Sequence, residues 1–199
     1  MFTRNNLLMP RTTVGLLGGS FDPPHKGHLH ITKQAFSAFR LNQVWWLVSP
    51  GNPLKSNEPA TLSRRIMACR EIIKHPNVIV SDIESHLNTR FTADTLSKLM
   101  ALYPRVKFVW LMGADNLAAF HKWEKWNWIM ENIPVGVMAR HGEQLKAGLS
   151  RAAFRYRNSR LSNIAASRLP HSKAPVWTLI GGPMYQESST EIRSKGSWY

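Results

Sequence analysis

Apolar residues along this chain fall into short continuous runs separated by amphipathic stretches. The runs are TVGLLGG (13–19), QVWWLVSP (43–50), NVIVSD (77–82), VKFVWLMG (106–113), PVGVMAR (134–140) and VWTLI (176–180). Each predicts a buried strand, because apolar residues at every position suit a strand covered on both faces. Helical spacing appears at 27–39, 61–74 and 91–103, where Phe91, Leu96, Leu99 and Leu102 are expected roughly on one side. A helical, tryptophan-rich segment follows residue 113. Such alternation predicts an α/β fold, a doubly wound and mostly parallel sheet with helices on both faces. There is no internal repeat. A single domain is expected over 1–199, with 1–11 a flexible N-terminus and 141–175 basic, irregular and partly helical.

Composition adds little until charge is considered. The 199 residues are 43% hydrophobic and 19% charged, ordinary for a globular chain. The single cysteine, Cys69, allows no internal disulfide and reads as a buried or half-buried thiol in TLSRRIMACREIIK. Low cysteine use suits a reducing compartment, and a cytoplasmic location is expected. No apolar run approaches the roughly 18 residues of a membrane span, so no membrane association is expected. The opening segment MFTRNNLLMPRTT is too polar for a secretory signal. Net charge is +14, densest around Arg151, Arg155, Arg157, Arg160 and Arg168. Such a field attracts polyanions, and it serves nucleic acid or phosphorylated substrates equally well.

In open α/β sheets, ligands sit beyond the C-terminal strand ends where strand order reverses. Three strand ends carry unusual residues. The first reads GGSFDPPHKGH. Gly18 and Gly19 permit close backbone approach, and Pro23 and Pro24 suit a helix entry. His25 and His28 would share one face at a helix N-terminus, a place that already favours anions. Two imidazoles there could donate to phosphate oxygens as charge develops. A metal site is an alternative for an i,i+3 histidine pair, but no third ligand with clear spacing is nearby. The segment is neither a GxGxxG nor a GxxxxGK[ST] loop.

The last strand end leads to ESSTEIRS. Ser188 and Glu191 form a capping-box pattern, so a helix is expected to start there, with Arg193 a turn inside and within reach of a phosphate. An ordinary capped surface helix is the alternative. In the middle, LMGADNL places Gly113 and Asp115 past a strand, where the carboxylate suits ribose hydroxyls or a helix N-cap. HKWEKWNW then brings three tryptophans into six residues. They read as packing, or as a π-face for a planar ring. Lys55, in SPGNPLK, is either a phosphate contact or a solvated loop lysine.

GGSFDPPHKGH closely resembles the ATP-binding signature of the nicotinate-nucleotide adenylyltransferases, and its core His25-Lys26-Gly27-His28 is similar to the HxGH of the wider nucleotidyltransferase superfamily. SSTEIR is similar to that family's SSTxIR. The resemblance covers nearly the whole chain and is weakest at 141–175. It implies a Rossmann-like nucleotidyltransferase fold and ATP contacts from Gly18, Gly19, Ser20, Phe21, His25, His28, Gly113, Asp115, Ser188, Ser189, Thr190 and Arg193, with His25, His28 and Arg193 catalytic. NTRFTADT (88–95) resembles the family's acceptor segment, usually written with SYT. It implies Thr92, Trp123 and Lys55 as contacts for nicotinate mononucleotide, with Trp126 and Trp128 left as packing. Phe91 stands where the family commonly has tyrosine, keeping a stacking face but no phenol.

The implied activity is transfer of the adenylyl group of ATP to nicotinate mononucleotide, in NAD biosynthesis. In-line attack by an anionic phosphate needs no covalent intermediate. Mg²⁺ is implied, held mainly by substrate phosphates, with no protein metal ligands assigned. No nucleic acid is required, and a homo-oligomer is compatible with the sequence. Other acceptors, nicotinamide mononucleotide or phosphopantetheine, and a basic nucleic-acid-binding protein on the same fold are the competing readings.

Overall fold

The computed structural model describes residues 12–51, 59–139, 144–181, 187–196 and 198. Lys55 and the segment 1–11 lie outside the described residues. Six strands form the sheet: β1 (Thr13–Gly19), β2 (Gln43–Val48), β3 (Val78–Ser81), β4 (Lys107–Gly113), β5 (Val135–Met138) and β6 (Trp177–Ile180). Their order is β3-β2-β1-β4-β5-β6 and every pairing is parallel. The chain runs outward from β1 to β3, then returns to place β4 on β1's other side. Strand order therefore reverses between β1 and β4, which opens a crevice at their C-terminal ends.

Nine α-helices are described: α1 (Lys26–Phe39), α2 (Leu62–Ile72), α3 (Ile83–His86), α4 (Thr92–Leu102), α5 (Ala114–Ala119), α6 (Trp126–Asn132), α7 (Gln144–Gly148), α8 (Arg151–Arg155) and α9 (Ser189–Ser194). The strands alternate between two buried clusters, as a period of two requires. Trp45 and Leu47 of β2 meet Leu96 and Leu99 of α4 and Ile129 of α6 on one face. Val44, Trp46 and Val48 meet Ala35 and Phe39 of α1 and Cys69 of α2 on the other. Burial pushes the Cys69 thiol up to about 12, against the opposing pull of Arg65, so it stays a thiol inside the core.

Three sequence expectations need correction. Leu96 and Leu99 are buried, but Leu102 is 57% exposed and Phe91 precedes the helix as its N-cap. Steps of three residues fall about 60° short of a full turn each, so the apolar stripe drifts off the core within two steps. The tryptophan-rich segment is not one helix. A 3₁₀ turn at Phe120–Lys122 ends at extended Trp123, and Lys125 enters α6 from a left-handed conformation, φ 52°. Asp115 is not an N-cap either: Gly113 holds that position and Asp115 lies in the first turn of α5.

The described part of the stretch 141–175, residues 144–175, is partly helical, as expected. Within it Ala152 and Ala153 of α8 are buried in the core. The arginine guanidiniums lie over aromatic rings: Arg157 over Phe154 at 4.9 Å, Arg155 over Tyr156 at 5.7 Å and Arg160 over Trp177 at 5.2 Å. Part of this basic stretch thus has a packing role.

Candidate active site

The crevice holds a cleft of about 430 Å³. Its floor is the end of β1. A Cβ on Gly18 would lie 2.4 Å from the Trp110 ring, so no larger residue fits there. The chain then turns at Phe21, whose φ of 48° is left-handed. Phe21 stacks on Trp46 at 4.9 Å and touches the His28 ring at 4.6 Å. Gly18, Gly19, Ser20 and Phe21 all line the cleft.

The two histidines begin α1 in a reciprocal capping arrangement. His25 is the N-cap, and its Nδ1 accepts the Gly27 amide at 3.1 Å. The Nδ1 of His28 accepts the His25 amide at 3.2 Å. These bonds satisfy amides that a helix start otherwise leaves open. They also fix the rings. With Nδ1 accepting, a neutral imidazole carries its proton on Nε2. The rings lie 4.1 Å apart and both line the cleft. Gly27 explains its own place in the motif: a Cβ there would sit 2.7 Å from the His25 ring. Below, Thr32 ties the array to the core, donating to the His28 carbonyl at 2.8 Å and accepting the Trp46 indole N–H at 2.8 Å.

The start of α9 meets the start of α1, although the segments are far apart in sequence. Ser189 donates to the Pro23 carbonyl at 2.9 Å, and Glu187 accepts the Lys26 amide at 3.3 Å. Ser188 caps α9 by accepting the Glu191 amide at 3.2 Å. The other half of the expected capping box is replaced, because Glu191 pairs with Lys195 at 2.8 Å. Ser188, Ser189 and Thr190 line the cleft. Arg193 does not. Its guanidinium stands 3.7 Å from the Asp22 carboxylate, donates to the Asp22 carbonyl and reaches Thr190 Oγ1 at 3.3 Å.

At the other end of the cleft, Thr92, Gly113, Asp115 and Trp123 are all wall residues. A Cβ on Gly113 would come within 2.4 Å of Asp115 Oδ1, so glycine lets the carboxylate fold back over the strand end. Trp123 stands edge-on to Trp110 at 6.2 Å and to Phe120 at 5.2 Å, which fixes its ring while leaving it partly exposed. Trp126 and Trp128 pack against the core, as expected.

Other wall residues escaped the sequence reading. Trp110, Glu84 and Arg90 line the cleft. Glu84 is only 7% exposed, and desolvation raises its carboxyl to about 7. It follows β3, a strand end that carried no recognisable motif. Arg65 was hidden for a different reason. It is 1% exposed, and its guanidinium donates to the carbonyls of Ser20, Ser49 and Ala60, each at 2.7 Å, and of Pro50 at 3.1 Å. Burial lowers its pKa from the ordinary guanidinium value, with Asp22 acting in the opposite direction. One buried cation thus holds the loops after β1 and β2 and the entry to α2. Spacing in SRRIM gives no sign that the second arginine points inward.

Known proteins resemble this chain closely. A cytidylyltransferase-like family model matches residues 16–195. A protein of Ruegeria sp. (strain TM1040), named probable nicotinate-nucleotide adenylyltransferase, is 57% identical over 186 residues, 94% of this chain and 98% of its own. A protein of the same name from Parvibaculum lavamentivorans is 46% identical over 196 residues, 98% of each chain. The solved structure of Plasmodium falciparum nicotinic acid mononucleotide adenylyltransferase, complexed with NaAD, aligns with a TM-score of 0.72 at 18% identity, covering 92% of this chain and 83% of that one. At that identity the likeness speaks for the fold. With the paired helix starts and the matching length of its relatives, this chain belongs to the cytidylyltransferase-like family, among the nicotinate-nucleotide adenylyltransferases.

Proposed function

We propose that this chain transfers the adenylyl group of ATP to nicotinate mononucleotide, giving nicotinate adenine dinucleotide and pyrophosphate. The observation that carries the reading is the meeting of two helix starts, α1 and α9, at one cleft with the His25 and His28 rings between them. Helix starts favour anions, and two of them side by side suit a triphosphate. The names of the relatives supply the acceptor.

The chemistry asks little of the protein beyond placement and charge. The acceptor phosphate is already an anion, so no general base is needed, and the α-phosphate of ATP is attacked in line. His25 and His28 donate through Nε2–H to phosphate oxygens. Their Nδ1 atoms are committed to the backbone, so the donors are oriented before substrate arrives. Ser188, Ser189 and Thr190 receive the departing phosphates. Arg193 lends its charge from behind the Asp22 loop. Trp123 offers a ring face to the pyridine, Thr92 and Asp115 meet the nucleotides, and Lys55 completes the phosphate contacts.

A bound Mg²⁺ would be held mainly by substrate phosphates and water, as that ion usually is in nucleotide sites. When bound, that ion neutralises phosphate charge. No helix among the described residues is long and apolar enough to cross a membrane. A buried free thiol fits a reducing cytoplasm.

Pyrophosphate release tests the reading. ATP is supplied with nicotinate mononucleotide, nicotinamide mononucleotide or phosphopantetheine in turn. The first should give the highest kcat/KM. A higher value with either of the others overturns the assignment of the acceptor, and no release with any of them overturns adenylyl transfer.

A further inference from the structure

Asp22 lies inside the GGSFDPPHKGH segment, yet it does not line the cleft. It is 5% exposed and turned to the back of the loop, where protein donors engage it. Its Oδ1 accepts the Trp198 indole N–H at 2.7 Å and the Ala60 amide at 3.2 Å. Its Oδ2 stands 3.7 Å from Arg193. Trp198 is itself held from α2. The Arg64 guanidinium lies over its ring at 4.7 Å and donates to its carbonyl. A residue near the end of the chain thus joins α2 to the back of the loop whose front holds Gly19, Ser20 and Phe21.

The loop needs such support. Phe21 is held at φ 48°, a conformation that non-glycine side chains adopt only when their surroundings impose it. Arg65 fixes the carbonyl of Ser20 on one side of Phe21. On the other side the anchor is Asp22, whose carboxylate would be costly to bury without donors. We propose that Trp198 is a positioning residue for the ATP-binding loop, acting through Asp22. Trp198 does not line the cleft. It sets the orientation of the Asp22 carboxylate and, through it, the backbone that faces the phosphates. The inference rests on the reading that this loop binds ATP.

The test is ATP affinity measured by calorimetry without any acceptor, so it stands whether or not nicotinate mononucleotide is the partner substrate. Trp198→Phe keeps a ring under Arg64 but removes the N–H donor. It should weaken ATP binding roughly five- to tenfold, less than the full worth of a hydrogen bond to a charged group, because the loss reaches ATP only through the loop. In turnover assays KM for ATP should rise by the same factor, while KM for the acceptor stays within about twofold. In an Asp22→Ala background the further change Trp198→Phe should add nothing, because the route is already cut. Unchanged ATP affinity in Trp198→Phe overturns the proposal. So does an equal loss in the Asp22→Ala background, or a parallel rise in both KM values with a falling melting temperature. Should Asp22→Ala fail to fold, the KM comparison in Trp198→Phe decides alone.

Discussion

The two histidines show how much one residue type can settle. At a helix start an N-cap side chain normally accepts an amide through oxygen. Here imidazole Nδ1 atoms do it, reciprocally, and the same bonds leave Nε2 as the donor edge. The bonds that cap the helix also orient both rings, and Gly27 is required because any Cβ would strike the His25 ring. His28→Ala should therefore lower kcat about 10²–10³-fold, as loss of a preorganised donor does elsewhere. The measurement is steady-state pyrophosphate release, with circular dichroism to show that the variant folds. A folded variant with near-normal kcat removes His28 from the chemistry. The N-cap is His25, so His25→Ala should cost about 1 kcal/mol of stability in urea denaturation.

Between elements, the decisive contacts are made by groups far apart in sequence. Arg65 is the plainest case. It belongs to α2, yet its bonds end on Ser20, Ser49, Pro50 and Ala60, so it gathers three loop segments at the mouth of the sheet. Arg65→Met keeps the aliphatic stem and removes every donor. Four inward-facing carbonyls lose a partner at once, and we expect a loss of about 3 kcal/mol or more in urea denaturation. Lysine restores one point charge but cannot fork to four carbonyls, so Arg65→Lys should recover only part of the loss. If Arg65→Met unfolds at the wild-type urea midpoint, the clamp contributes nothing. Sequence periodicity predicted α2 correctly but not which of Arg64 and Arg65 turns inward. Arg65 is buried, whereas Arg64 lies over the Trp198 ring.

At the scale of the whole molecule, a chain of net charge +14 keeps a buried carboxyl in its main cleft. Glu84 is raised from 4.5 to about 7 by desolvation, with Arg90 and Glu124 on the same cleft wall. The sign follows from proton binding. Between pH 4.5 and 7 the folded state holds a proton that the unfolded chain releases. The stability this gives is complete below the unfolded value and is lost as pH rises through the folded one. Glu84→Gln removes the dependence. The stability of the variant relative to wild type should rise by up to about 3 kcal/mol between pH 5 and pH 8, read from urea midpoints at both pH values. A difference that stays constant with pH would show that folding does not desolvate Glu84.

The sequence by itself determined the strands, the major helices and the residue chemistry of the two segments that meet at the cleft. These are local properties: a buried parallel strand is an apolar run, and a helix start with histidines, serines and glycines is written in consecutive residues. The tertiary structure alone decided what each of those groups faces. It turned Arg193 toward Asp22, withdrew Asp115 from the N-cap, broke the tryptophan segment at Trp123, and brought Glu84, Arg65 and Trp198 to the cleft or its back. Those outcomes depend on which strand ends meet once the sheet has closed in the order β3-β2-β1-β4-β5-β6. Pairing across such distances leaves no period in the chain, because the energy of a buried carboxylate or guanidinium is set by partners that only the assembled sheet supplies.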